Sequence, residues 1–422
     1  MEDTMKKIHE ILEKHRNTEE RFVAGSSKIP LSIPQFGNEE IEEAMESFIS
    51  TYVTMGKKVR EFERLFAQYT GVRNGVMVNS GSSANLVALS ALSNESLPRH
   101  LAQGDEVITP AVTFATTVYP INSVGCTPVF VDVDMDSLTM NTDAIEKSIT
   151  DKTKAIMLVH LLGNPCKMKE IMRIAEENNL LVIEDSCEAH GAEYHGKKVG
   201  SFGDAATVSF FLAHHITTIE GGMVLTNNDE IANLSRSIRV FGWTRDMREH
   251  EQIASRYDYI DKRYLFIYPG YNMRPTEIQG AFGMHQIKRL DGFVEERRKN
   301  AQYWASRLKD ISEVSIIEEK PNTKISWYGY PIIISPKSNF TRKEMTDYLQ
   351  SCGIETRQVM AGNFVQQPVI KHISHRVSGS LKNSEIVMTN SFFWGNHHGI
   401  GKEQREYMAD CLIKFIEDRK SR

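Results

Sequence analysis

From about residue 74 to 240, short apolar runs alternate with longer segments whose apolar residues recur every three or four positions. The runs at 75–78, 106–109, 128–131, 155–159 and 180–183 lack a polar face, so they read as strands buried on both sides. The segments 83–92, 116–124, 143–149 and 169–178 read as the helices between them. Strands alternating with helices predict an α/β fold, with a mostly parallel sheet covered on both faces. A helical segment over 277–308 leads into a region that mixes a strand at 328–334 with helices at 343–351 and 403–416. The stretch 1–28 carries Ile8, Ile11, Leu12 and Phe22 at helical spacing among charges. The expected organisation is therefore an N-terminal helical extension over 1–28, a large domain over 29–290 and a smaller C-terminal α/β domain over 291–422.

Composition narrows the function classes. A chain of 422 residues buries a large core, and 41% hydrophobic with 25% charged residues is ordinary for a soluble globular protein. The net charge of −5 gives no reason to expect nucleic acid as a partner. No apolar run approaches the roughly 18 residues of a membrane span. The start, Met1-Glu2-Asp3-Thr4-Met5-Lys6-Lys7, lacks the apolar segment of a secretory signal. Five widely spaced cysteines, Cys126, Cys166, Cys187, Cys352 and Cys411, fit a reducing, cytoplasmic setting and match no metal motif. The basic cluster Lys288-Arg289 and Arg297-Arg298-Lys299 reads as a solvated helix face.

Candidate chemistry gathers at the predicted strand ends. Asn79-Ser80-Gly81-Ser82-Ser83-Ala84-Asn85 lies between a strand and a helix, where free amides and a helix N-terminus attract an anion. Such a turn is also common without any ligand. Phe114 follows another strand end, where open α/β sheets bind their ligands. Asp185 ends the apolar run at 180–183, as an acid facing that crevice or as a helix N-cap, and both readings are open. Glu188 follows three residues later. Ser209, His214, His215 and the run Glu220-Gly221-Gly222 occupy one segment, in which either imidazole could face a ligand.

The spacing of that segment resembles the DegT/DnrJ/EryC1/StrS sugar aminotransferases. Those enzymes carry a lysine at the position of His214, five residues after the serine and six before Glu-Gly-Gly. The resemblance runs from about Ile29 to Ile416 and includes Leu161-Leu162-Gly163-Asn164-Pro165 and Gly270-Tyr271-Asn272-Met273-Arg274. It implies the fold of aspartate aminotransferase-like (fold type I) enzymes and a pyridoxal or pyridoxamine 5′-phosphate cofactor. Ser82, Ser83 and Ser209 would meet the phosphate, Phe114 the ring face, Asp185 the pyridine nitrogen and Glu188 the ring hydroxyl. Asn272 would reach the site of a second subunit, which implies a homodimer with shared active sites.

Imidazole cannot tether the cofactor covalently, but it can carry protons near neutral pH. With histidine for lysine, and Glu188 where most of the family has glutamine, the chain is most similar to the branch that makes 3,6-dideoxy sugars. That branch removes the C3 hydroxyl from GDP-4-keto-6-deoxy-D-mannose and uses L-glutamate as amino donor. A relative with a [2Fe–2S] cluster is a poor match, because no cysteine lies between Cys187 and Cys352. An aminotransferase with a non-covalent cofactor, and a non-catalytic paralogue that binds nucleotide sugars, are the alternatives.

Overall fold

The computed structural model describes residues 2–15, 22–34 and 36–420. Its centre is an eight-stranded sheet in the order Asn74–Val78, Gly222–Thr226, Ala205–Ser209, Leu181–Asp185, Thr153–Val159, Glu106–Pro110, Thr127–Val131, Arg376–Val377. Only Gly222–Thr226 runs against its neighbours; the other pairings are parallel. Most of the central strands are buried along their whole length, which explains their unbroken apolar runs. The intervening helices Gly81–Leu92, Ala115–Ser123, Thr142–Ser148 and Met168–Glu177 begin and end within two residues of their predicted limits.

A second, four-stranded sheet orders Val314–Ile316, Gly329–Ile334, Ser391–Gly395 and Thr356–Arg357. Helices Leu290–Leu308, Arg342–Ser351 and Lys402–Lys420 pack on it around Trp304, Tyr330 and Trp394. The segment predicted as one helix over 277–308 is broken. Glu277–Gln286 passes through a tight turn, Ile287–Arg289, into Leu290–Leu308.

The two halves of the chain interlock. Arg376–Val377 leaves the C-terminal region to form the outer strand of the large sheet beside Thr127–Val131. Ile29 pairs with Ile354. At the N-terminus, Glu2–His15 is helical and lies against Asn38–Ile49, joined to it by His9–Glu42 and Asn38–Glu13 hydrogen bonds. The expected helix over 1–28 does not extend through its last residues: Val23 to Ser27 form a turn closed by Ser26 and Ser27 amides on the Val23 carbonyl. Phe22 packs edge-on against Tyr407.

The basic cluster departs from its expected solvated face at Arg289, which pairs with the fully buried Glu40, and at Arg297. Lys288 is exposed, and Arg298 and Lys299 pair with Glu319 and Glu296 near the surface. Arg297 instead is 2% exposed. It shares an inward stripe with Leu290, Phe293, Val294, Ala301 and Trp304, at the three- and four-residue spacing of a buried helix face.

Candidate active site

The strand ends of the large sheet open into a cavity of about 360 Å³. That volume suits a small ligand. Ser82, Phe114, Asp185, Glu188, Ser209 and His214 all line it.

Helix Gly81–Leu92 starts at the cavity. Ser80 caps it, its Oγ accepting the Ser83 amide at 3.1 Å. The amides of Gly81 and Ser82 belong to the first turn, which has no acceptor one turn back, so the positive end of the helix faces the cavity. Glycine is required for this close approach. A Cβ on Gly81 would run into Ser209, and one on Gly222 into the Ser80 carbonyl. Ser83 takes a different place from Ser82: its hydroxyl accepts a bond from Ser80 at 3.0 Å, and it is absent from the cavity lining.

Asp185 is the last residue of its strand, and no helix begins there, so the N-cap reading falls. Thr117 Oγ1 and Asn85 Nδ2 donate to its Oδ2 at 2.8 and 3.0 Å, and the Cys187 amide donates to Oδ1 at 3.2 Å. All three partners are donors, so the carboxylate is fixed as an acceptor pointing out of the strand end. Asn85 is itself oriented by Thr207, and Thr117 by Thr113.

Glu188 accepts the Leu162 amide at 2.7 Å. Burial, with the charge of Asp185 adding to it, raises this carboxyl to about 8 against the single amide bond that opposes the shift. It is a neutral acid at pH 7. Phe114 lies just before helix Ala115–Ser123 and keeps 55% of its surface exposed, an open aromatic face on the cavity rim. An isolated phenylalanine in such a run would ordinarily be core; here it is not.

The two adjacent histidines part company. His214 lines the cavity, and its Nδ1 is buried without a hydrogen-bond partner. His215 is fully buried behind it, with Nε2 3.0 Å from the Ser326 carbonyl. Burial and then the Arg297 guanidinium push His214 down to about 3, so its imidazole is neutral at pH 7, with a lone pair free to accept a proton. This corrects the expectation of an imidazole that titrates near neutrality. Composition did not anticipate a desolvated ring with a buried cation close by.

Two contributors, Tyr328 and Thr117, were missed by sequence reasoning. Tyr328 lines the cavity with its ring centroid 5.3 Å from that of His214. Thr117 holds Asp185 together with Asn85, which was expected in the anion-binding turn instead. Asn272 lies outside this cavity lining; it is exposed, and its Oδ1 accepts from Arg274 Nε at 3.1 Å. Among the described residues no cluster of histidine, cysteine and carboxylate side chains could hold a metal, and no helix is long and apolar enough to cross a membrane.

The model of the DegT/DnrJ/EryC1/StrS aminotransferase family matches residues 34–413. The chain belongs to this family. Within it, the GDP-4-keto-6-deoxy-D-mannose 3-dehydratase of Escherichia coli O55:H7 is 36% identical over 386 residues, covering 91% of this chain and 99% of that protein. The dTDP-4-dehydro-2,6-dideoxy-D-glucose 3-dehydratase of Saccharopolyspora spinosa is 37% identical over 416 residues, covering 95% and 90%. Among solved structures, a GDP-4-keto-6-deoxymannose-3-dehydratase variant with bound GDP-perosamine superposes with a TM-score of 0.87 at 36% identity, covering 91% of this chain and 99% of that one. The E. coli enzyme with bound hydrated PLP superposes at 0.86, covering 92% and 100%. The family fold is therefore that of PLP-dependent aminotransferase-like proteins, as expected.

Proposed function

We propose that this family member is a pyridoxamine/pyridoxal 5′-phosphate-dependent nucleotide-sugar 3-dehydratase. Its substrate is a nucleotide-linked 4-keto-6-deoxy hexose, GDP-4-keto-6-deoxy-D-mannose foremost, and L-glutamate restores the amino form of the cofactor. The observation that carries this reading is His214: its Nδ1 has no hydrogen-bond partner among the described residues, it stands in the cavity wall at the position of the family's tethering lysine, and Ser82, Phe114, Asp185, Glu188 and Ser209 line the same cavity.

The residues fit the cofactor. The first turn of Gly81–Leu92, with Ser82 and Ser209, offers donors to a phosphate. Asp185, held by three donors, would accept from a pyridine N–H. Phe114 would cover a ring face, and neutral Glu188 would donate toward a ring oxygen. When bound, the cofactor supplies an electron sink for carbanion chemistry. His214, neutral at pH 7, accepts a proton from carbon. The resulting imidazolium is strongly acidic, because burial and Arg297 disfavour its charge. It returns that proton to the departing C3 oxygen, which leaves as water. The released amino sugar then takes up water at C4 and loses ammonia to give the 3-deoxy-4-keto sugar.

The GDP choice is supported by the bound GDP-perosamine in the neighbouring structure, although a dTDP-sugar enzyme is equally similar in sequence. The amino donor is supported by a related structure described with a trapped PLP-glutamate geminal diamine. A setting in lipopolysaccharide O-antigen synthesis accords with a 37% identical Salmonella typhimurium relative named for lipopolysaccharide biosynthesis. We place the reaction in the cytoplasm on the cysteine usage.

Mass spectrometry of products from GDP-, CDP- and dTDP-linked 4-keto-6-deoxy sugars, with and without glutamate, tests the reading. Ammonia and a deoxy sugar are expected. A stable amino sugar would make the protein an aminotransferase, and failure to bind pyridoxamine phosphate would make it a non-catalytic paralogue.

We further propose a homodimer in which Asn272 completes its partner's site, since it is exposed and outside its own cavity. Mixing inactive His214→Asn and Asn272→Asp subunits places both lesions in one site and leaves the other intact. Activity should return on exchange; no recovery despite proven exchange would refute the sharing.

A further inference from the structure

Tyr328 stands apart from every residue the family motifs point to. It reaches the cavity from the C-terminal region, more than a hundred residues beyond His214, yet the two rings meet in one wall. Its ring also contacts Phe393 and His215. Among the described residues its hydroxyl makes no hydrogen bond.

The backbone beneath that ring is held from both sides. The Tyr328 amide donates to the Leu162 carbonyl at 3.0 Å, and the Ser326 amide to the Gly163 carbonyl at 3.1 Å. Arg297 donates to the carbonyls of Trp327, Tyr328 and Asn396. Among the described residues this arginine has no carboxylate partner: its Nη1 donates to these three carbonyls, and its Nε is buried without a hydrogen-bond partner. Leu162 and Trp327 both sit at φ 51, left-handed and without the freedom of glycine. Such a conformation persists only where its surroundings impose it. The contacts that impose it here serve to present one phenol to the cavity.

We infer that Tyr328 is a further catalytic residue of the dehydration, its hydroxyl donating a hydrogen bond to the C3 oxygen of the sugar as that oxygen departs. The inference rests on the function proposed above. Elimination asks His214 to work on that same oxygen, and the Tyr328 ring stands in the same wall with its centroid 5.3 Å from that of His214. Burial holds the phenol protonated. It therefore donates without transferring its proton, and the proton that makes water still comes from His214.

Tyr328→Phe tests this, since it removes only an oxygen that nothing in the described fold uses. Calorimetric binding is measured on the pyridoxal form without glutamate, which has no amine to react with the ketone. The ligands are GDP-4-keto-6-deoxy-D-mannose and its 3-deoxy product. The variant should bind the 3-hydroxy sugar about tenfold more weakly, or ~1.4 kcal/mol, and the 3-deoxy sugar as the wild type does. Turnover should fall while the glutamate half-reaction keeps its rate. Equal weakening of both sugars, or of neither, overturns the inference. Wild-type dehydration, read beforehand, judges the proposed function separately.

Discussion

One wall of the cavity is made of strand ends, and the other of a strained connection; they are stabilised in different ways. Ser82, Asp185 and Ser209 each follow or end a fully buried strand that fixes their backbone, and Asn85 and Thr117 from two helices orient the Asp185 side chain. Tyr328 depends on Leu162, Gly163 and Arg297, all remote in sequence, and on two residues held at φ 51. The contrast teaches where chemistry and positioning separate. The strand-end wall presents groups that any cofactor of this kind requires. The opposite wall decides what happens to the second reactant. Variants in the first should damage both half-reactions, and variants in the second only one.

The largest effect is expected for Asp185→Asn. The amide cannot hold the pyridine nitrogen protonated, so both half-reactions should slow by ~10³-fold or more, about 4 kcal/mol of barrier. Thermal unfolding should scarcely change. A loss under about tenfold would mean that the strand-end wall is mainly structural.

His214→Lys comes next and separates the walls directly. The amine should capture the cofactor, so that borohydride fixes a pyridoxyl group to residue 214 on peptide mapping, and dehydration should fall by ~10²-fold or more. The wild type should release its cofactor unmodified under the same treatment. A reduced adduct on any wild-type lysine would remove the basis of the histidine reading.

The smallest effect belongs to Glu188→Gln, and it depends on pH. With Glu188 raised to about 8, the wild type should lose activity as pH rises through that value, while the glutamine variant keeps its rate. Stability follows with a definite sign. Below the ordinary carboxyl range both folded and unfolded chains hold the proton. Between there and about 8 only the folded chain does, so the wild type loses stability as pH rises. The melting temperature of the cofactor-free variant minus that of the wild type should therefore grow from pH 5 to 8. A constant difference would mean that Glu188 is ionised throughout.

The same contrast explains what was legible in the chain. The buried strands announce themselves because both faces are apolar, and Asp185 is conspicuous as the acid that ends one. Gly81 and Ser209 sit in short motifs whose backbone demands are local. Tyr328 carries no such mark: nothing in Ser326-Trp327-Tyr328-Gly329 says that a segment 165 residues earlier will hold it against a histidine. Arg297 was legible in principle. Its neighbours at 290, 293, 294, 301 and 304 trace an inward stripe, but the flanking Arg298 and Lys299 made the whole cluster look solvated. The separation of His214 from His215 had no local signal, because adjacent residues in an irregular loop face whichever way the packing around Phe210 and Ser326 directs.

The outer strand Arg376–Val377 has a consequence for how the protein is made. While the ribosome is still short of residue 377, the edge of Thr127–Val131 has no partner, although every other strand of that sheet has already emerged. An unpaired edge of this kind recruits strands from other chains. Nascent and truncated polypeptides that stop before this point should therefore be the aggregation-prone species. The hazard ends only when the last tenth or so of the chain folds back to seal it.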